Sequence, residues 1–536
     1  MSALGEIRAL ASYLASLRRF LREPVSEEAA IRRITRRLPA REDAFLDIVR
    51  RGVFDHAPSP YRALFRAAGI EYGDLERMVR QDRLEPALER LYDDGVRITN
   101  DELRGRVPIS RGGLELAVKA EDFDNPLAPG NFEVQTGGSR SGGAPITGNL
   151  GMIEYEAGYY ALLYPTFGLH GMPVAMWFAP PPNSTGLSIL LRQAKFGVPV
   201  ERWFSQTPLG WKAYPKHALL TKATLVAGRL WGSALAAPEY TPPEQSATVA
   251  RWLAATKDAG AVAQLATTPG LAVRICLAAR ELGLDISGTF FRLGGEPYTR
   301  GRAAAIAEAG CRAASNYFIS ELGGHVGLAC GDPNEFDEVH VLTDKVAAVR
   351  RETRIAPSET VDTLAFTTLH PLCPKLLINL ESDDYGALYS RDCGCALARE
   401  GFSLHLHGIR SYDKLTSEGV TFMGSDVITL VEEFLPRRFG GSATDYQLVE
   451  YGEARVPGVA LVVSPNVGDI DEGEVVKTAI AFLRTRGKRN AAAADIWRES
   501  GTVRVVRRAP YVTGAAKIPI VHVVQEESPW ESEGEQ

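Results

Sequence analysis

Tyr317-Phe318-Ile319-Ser320-Glu321-Leu322-Gly323-Gly324 packs an aromatic ring, a hydroxyl, a carboxylate and a glycine pair into eight consecutive positions. An aromatic face suits a purine, and a hard carboxylate suits a hard cation that bridges phosphates. About twenty residues earlier stands Leu293-Gly294-Gly295-Glu296-Pro297. Earlier still, Thr136-Gly137-Gly138-Ser139-Arg140-Ser141-Gly142-Gly143-Ala144-Pro145 offers backbone N–H groups unobstructed by Cβ atoms, hydroxyls and one guanidinium, the equipment of a phosphate cradle. No Lys-Ser/Thr pair closes this loop, so it is not a Walker-type loop.

The rest of the chain frames these segments. Its 536 residues allow about three domain-sized units, and 45% hydrophobic residues suit a well-buried globule. With 60 Lys+Arg against 66 Asp+Glu and no long basic block, nucleic acid is excluded as an expected partner. Met1 to Glu23 lacks the apolar core of a signal peptide, and no apolar run is long enough to span a bilayer, which predicts a cytoplasmic protein with no membrane partner. The six cysteines are then expected as thiols or metal ligands.

Residues 1–105 read as helices broken by prolines, with Leu10, Leu14, Leu17 and Leu21 at helical spacing. From there to about residue 400, apolar runs such as Val174-Ala175-Met176-Trp177-Phe178 alternate with helix-like runs, the pattern of an α/β layered architecture. Beyond Gly408 the pattern changes to a small α+β unit, and the acidic end, 526–536, is expected to be disordered.

The Gly-Glu-Pro and Tyr317–Gly324 segments resemble the "GAEP" and "YGLSEvGG" motifs of phenylacetate–CoA ligases, a branch of the adenylate-forming superfamily. The resemblance implies an α/β fold with a large multi-layer N-terminal domain, 106–410, and a small mobile α+β lid, 411–525. It implies ATP- and Mg²⁺-dependent conversion of a carboxylic acid to an acyl-adenylate, then transfer to the thiol of CoA or a carrier-protein phosphopantetheine. In this resemblance Gly295 and Glu296 border the adenine, and Asn316 belongs to the same nucleotide site. Tyr317 stacks on the base, Ser320 contacts the α-phosphate and Glu321 holds Mg²⁺. Thr136, Gly138, Ser139, Arg140, Ser141 and Gly142 form the phosphate loop.

Asp384, with Asp383 as its alternative, is similar to the aspartate that binds the ribose. Arg410, in a segment resembling "GRSDDML", stands near the nucleotide and the hinge. Lys517, in a segment resembling "P-x-T-x-x-GK-I", bridges the acid and the α-phosphate, where a cation offsets developing charge. His170 and Gly171, with Gly294 and Gly323, are expected to border the acid, and Tyr164, Phe167, Trp177, Phe178, Phe290 and Phe291 are further pocket candidates. An aromatic or medium-chain acid is expected.

Segments 434–441 and 444–448 also resemble bacterial acyl-protein synthetases, which keeps transfer to a protein thiol or an amine open. Ala144 and Tyr412 depart from the motifs and favour a third reading, a nucleotide-binding regulator without turnover. Cys330, His340, Cys393 and Cys395 make a donor set suited to structural tetrahedral Zn²⁺, with Cys373, His405 and His407 as alternatives. A monomer or homodimer is expected.

Overall fold

Val174–Trp177, Gln264–Thr267 and Phe290–Leu293 are buried along their whole lengths. Strands buried on both faces need cover on both, which helices between consecutive parallel strands supply. Accordingly six strands pair in parallel in the order Arg312–Ser315, Phe290–Leu293, Gln264–Thr267, Val174–Trp177, Arg202–Ser205, Pro238–Tyr240. Helices Ser246–Asp258 and Pro269–Glu281 cover one face, where Trp177 and Phe291 point. Helices Ser184–Phe196 and Pro215–Trp231 cover the other, where Met176 and Phe178 point.

This computed structural model describes residues 3–135, 145–211, 214–232, 234–356, 359–411, 415–417, 420–422, 424–451, 458–485, 494, 503–512 and 518–524. A second sheet of eight strands contains Tyr317–Ile319, Gly324–Ala329 and Leu380–Ser390. Its eighth strand comes from the N-terminal region: Ile98–Thr99 runs parallel to Leu380 and Glu381. Phe45, Leu64 and Leu88, from three N-terminal helices, join Phe366 and Leu380 in one core. The first hundred residues, where the sequence shows no motif, are thus packed into the large domain.

At the C-terminal end, four strands order as Val503–Arg507, Gly458–Val463, Tyr446–Tyr451, Val521–Val524. The helix Glu472–Arg484, capped by Asp471 Oδ1 accepting from Glu474 N at 2.9 Å, buries Val475, Ala479 and Leu483 with Leu448 and Leu461. Arg302 joins this unit to the large domain. Its Nη1 lies 2.6 Å from Glu296 and its Nη2 2.9 Å from Glu432, and all three side chains are buried. The fold class is thus α/β, with a large body and a small α+β C-terminal body. No helix among the described residues is long and apolar enough to cross a membrane.

Candidate functional site

In an open parallel sheet, ligands bind in the crevice beyond the carboxyl ends of the strands. Phe178, Thr268, Gly294 and Asn316 are each the first residue after such an end, and all four line one cavity of about 590 Å³. The second sheet closes its far side. Strand Tyr317–Ile319 turns through Ser320–Leu322 into Gly324–Ala329, and this tight turn presents Ser320 and Glu321 to the cavity.

Two glycines are dictated by close approach. A Cβ on Gly294 would stand 2.5 Å from the Phe318 ring. One on Gly324, whose φ is +120°, would stand 2.6 Å from Glu156 Oε2. Asn316 ties the two sheets together: its N–H donates to Leu293 O at 2.9 Å, and its Oδ1 accepts from Ala329 N at 3.0 Å.

Of the residues expected from sequence, Gly294, Gly295, Asn316, Ser320, Glu321, Gly323, Asp383 and Asp384 line this cavity together. Asp384 accepts from the Tyr317 hydroxyl at 2.6 Å and Asp383 from Asn100 Nδ2 at 2.8 Å. Burial and the Asp384 carboxylate hold the Tyr317 phenol well above its usual range. Its ring packs 5.9 Å from Phe366, while the next residue, Phe318, lines the cavity.

Glu296 is the residue whose placement differs most from a base contact. Its carboxylate accepts from Gly270 N at 2.9 Å, from Arg302 and, through Oε1, from Ile518 N at 2.9 Å. Arg410 pairs with Asp337 at 3.1 Å instead of lining the cavity. His170 and Gly171 are exposed outside it, because they precede Val174, at the amino end of a strand whose carboxyl end meets the crevice. Of the further aromatic candidates only Phe178 lines the cavity; Trp177 and Phe291 point into the helix-covered core, and Tyr164 is buried with its hydroxyl on Gln193.

Thr136, Gly138, Ser139, Arg140, Ser141, Gly142 and Lys517 lie outside the described residues, as do Ala144 and Tyr412. The strands flanking 136–144, Phe132–Gln135 and Pro145–Gly148, pair antiparallel and line the cavity through Phe132, Val134 and Ile146. Ile518, which follows Lys517, is buried and held by Glu296, next to Gly295 in the cavity wall.

Sequence reading missed two groups. Asn100, Asp101, Arg104 and Arg106 reach the wall from the N-terminal region. The second group is a buried polar cluster. Glu156 accepts from Arg192 Nη1 at 2.8 Å, Lys345 Nζ at 2.5 Å, and the His325 amide at 3.1 Å, with His325 Nδ1 2.5 Å away. These cations hold the Glu156 carboxyl well below its usual range despite burial, while burial pushes His325 down to about 4. The members come from positions 156, 192, 325 and 345, so no local motif could reveal them.

A second cluster lies on the large sheet, apart from the cavity wall. Cys330 Sγ stands 3.6 Å from Cys393 Sγ, and His340 Nε2 stands 3.1 Å from Cys395 Sγ and 3.5 Å from Cys393 Sγ. Zn–S bonds of about 2.3 Å in a tetrahedron place sulfurs about 3.8 Å apart, so these spacings suit that ion. His340 Nδ1 lies 2.7 Å from Phe402 O, which directs Nε2 at the thiols. Contacts with Cys330 and His340 push the Cys395 thiol down. Cys373 is buried elsewhere, against Leu322 O at 3.3 Å.

The chain matches no protein-family model and no curated protein. Among solved structures it is similar to 2-hydroxyisobutyryl-CoA ligase in the postadenylation state with R3-HIB-AMP, at 14% identity and TM-score 0.54 over 92% of this chain and 91% of that one. It is also similar to the same ligase with 2-HIB-AMP, at 15% identity and TM-score 0.52 over 96% and 93%. The chain therefore shares the fold of that ligase, a large domain followed by a small C-terminal one.

Proposed function

We propose that this chain activates a carboxylic acid with ATP and then passes the acyl group to a thiol. A carboxylate oxygen attacks the α-phosphorus, a new O–P bond forms, and the bond to pyrophosphate breaks to leave acyl-AMP. The thiol sulfur then attacks the acyl carbon and AMP departs. The observation that carries this reading is the cavity, where Ser320, Glu321, Gly294, Asn316 and the Asp383–Asp384 pair converge, while Glu296, next to Gly295 in its wall, holds Ile518, the residue after Lys517.

In this reading the nucleotide lies along the strand ends, with adenine beside Gly295 and Asn316 and the ribose hydroxyls on Asp384 or Asp383. The 136–144 loop and Ser320 hold the phosphates, Glu321 holds Mg²⁺, and Lys517 offsets charge that grows as the carboxylate meets the α-phosphate. The acceptor thiol belongs to CoA or a carrier protein, and the finer likeness is to phenylacetate–CoA ligases. The Cys330, His340, Cys393 and Cys395 set holds a structural Zn²⁺, since all four tetrahedral positions would be filled by protein.

Acid-dependent exchange of labelled pyrophosphate into ATP tests this function. Exchange with at least one acid is expected; its absence across a broad panel, from protein that binds ATP, leaves the regulator reading. Product analysis with CoA, carrier protein and amines identifies the acceptor.

A further inference from the structure

Arg292 stands in the middle of a parallel strand, at a position where its neighbours are Phe290, Phe291 and Leu293. Its side chain is 6% exposed and lines the cavity. With the Gln193 amide oriented so that its oxygen faces the guanidinium, Nη1 and Nη2 lie 2.7 and 2.5 Å from that oxygen. The guanidinium carbon sits 5.3 Å from the centre of the Tyr160 ring. Nε has no partner, and among the described residues no carboxylate pairs with this charge.

The other buried cations around this end of the cavity each have a carboxylate partner. Arg192 and Lys345 both pair with Glu156, and the nearby Asp344 carboxylate accepts from the Tyr155 and Tyr159 hydroxyls. His325 is held neutral near pH 7 by burial. Arg192 Nε is also without a partner, and Arg192 lines the cavity too. A buried guanidinium facing only an amide oxygen and a ring is costly, because neither replaces its lost hydration with negative charge. An anion entering the cavity would supply it.

We infer that the acid taken by this cavity carries a second anionic group, most simply a second carboxylate, which pairs with Arg292 while the first is activated. The inference rests on the reading of the cavity as an acid site. It narrows the expected aromatic or medium-chain acid to one with a charged far end. Arg292 and its partners Gln193 and Tyr160 belong to the strand and the helices behind it, whereas Ser320, Glu321 and Ile518 stand at the strand ends. In this inference one carboxylate meets Arg292 and the other faces the Ser320–Glu321 turn.

The test is equilibrium binding, by calorimetry and thermal shift, of straight-chain and aromatic dicarboxylates and of the monomethyl ester of each, to the full chain with and without ATP. At least one diacid is expected to bind on the order of 30-fold more tightly than its half-ester. Arg292→Leu is expected to erase that preference and Arg292→Lys to keep part of it, with ATP affinity within about twofold of wild type. Equal binding of diacid and half-ester, binding of neither, or loss of ATP affinity in Arg292→Leu would overturn the inference. If the variants do not fold, the wild-type comparison decides alone. Diacid binding without pyrophosphate exchange would sink the proposed reaction and leave the anion pocket standing.

Discussion

The backbone N–H of Ile518 donates to Glu296 Oε1 at 2.9 Å, while the other oxygen of the same carboxylate accepts from Gly270 N and Arg302. One buried side chain therefore fixes Ile518, the residue after Lys517, beside the cavity wall. Lys517→Ala is expected to lower acyl-AMP formation at least 100-fold while sparing thioester formation from synthetic acyl-AMP, because in the proposed role the lysine offsets charge at the α-phosphate during the first step only. Equal loss of both half-reactions removes this role. Glu296→Gln keeps one acceptor oxygen for Ile518 N but turns an NH2 toward Gly270 N and Arg302, so a smaller loss, of the order of tenfold, is expected in the same assay.

Glu321 stands on the turn at the cavity wall. Glu321→Ala is expected to reduce pyrophosphate exchange more than 100-fold, with partial recovery at raised Mg²⁺. Full retained activity would reject the magnesium assignment.

Gly324 has a φ of +120° and no room for a Cβ beside Glu156. Gly324→Ala should destabilise the protein by about 2–4 kcal/mol, through strain and displacement of a buried carboxylate from its cations. Denaturant unfolding measures it, and a change below 0.5 kcal/mol, within the usual range for an inert site, would contradict the packing.

His325 is held at about 4 by burial, below the 6.5 of a free imidazole. Below pH 6.5 the unfolded chain takes up a proton that the folded chain refuses, so the stabilisation is complete above 6.5 and is lost as pH falls to 4. The loss from this group is about 3 kcal/mol at most. His325→Gln should flatten the fall of melting temperature over that window, and an unchanged slope would show that another group carries it.

Metal analysis of protein purified without chelator is expected to find one zinc per chain. Cys395→Ser should release it and lower the melting temperature by about 5 °C. Well under one zinc per chain would dispose of the site.

The likeness between sequence and structure is uneven for physical reasons. Ser320, Glu321 and Gly323 were legible because a turn between neighbouring strands keeps sequence neighbours together in space. His170 misled because an aromatic-rich segment before a strand reads the same whether it meets the crevice or the opposite edge; only strand direction separates them. Glu156, Arg192, Arg292 and Asn100 carried no local signal, since their partners lie across helix–sheet or sheet–sheet contacts far apart along the chain. Cys330, His340, Cys393 and Cys395 fall between these cases: the residue types were readable, and their approach depends on two turns of the large sheet.

The pairing of Ile98–Thr99 with Leu380 and Glu381 also has a bearing on how the protein is made. During synthesis the N-terminal helices leave the ribosome first, yet the strand that accepts them is translated some 280 residues later. Phe45, Leu64 and Leu88 must then wait with their apolar faces uncovered, a long-range dependence that slows folding and exposes the nascent chain to aggregation. Shortening the chain from its beginning would remove part of a sheet, so yield of intact protein should depend on those first hundred residues as strongly as on the rest of the large body.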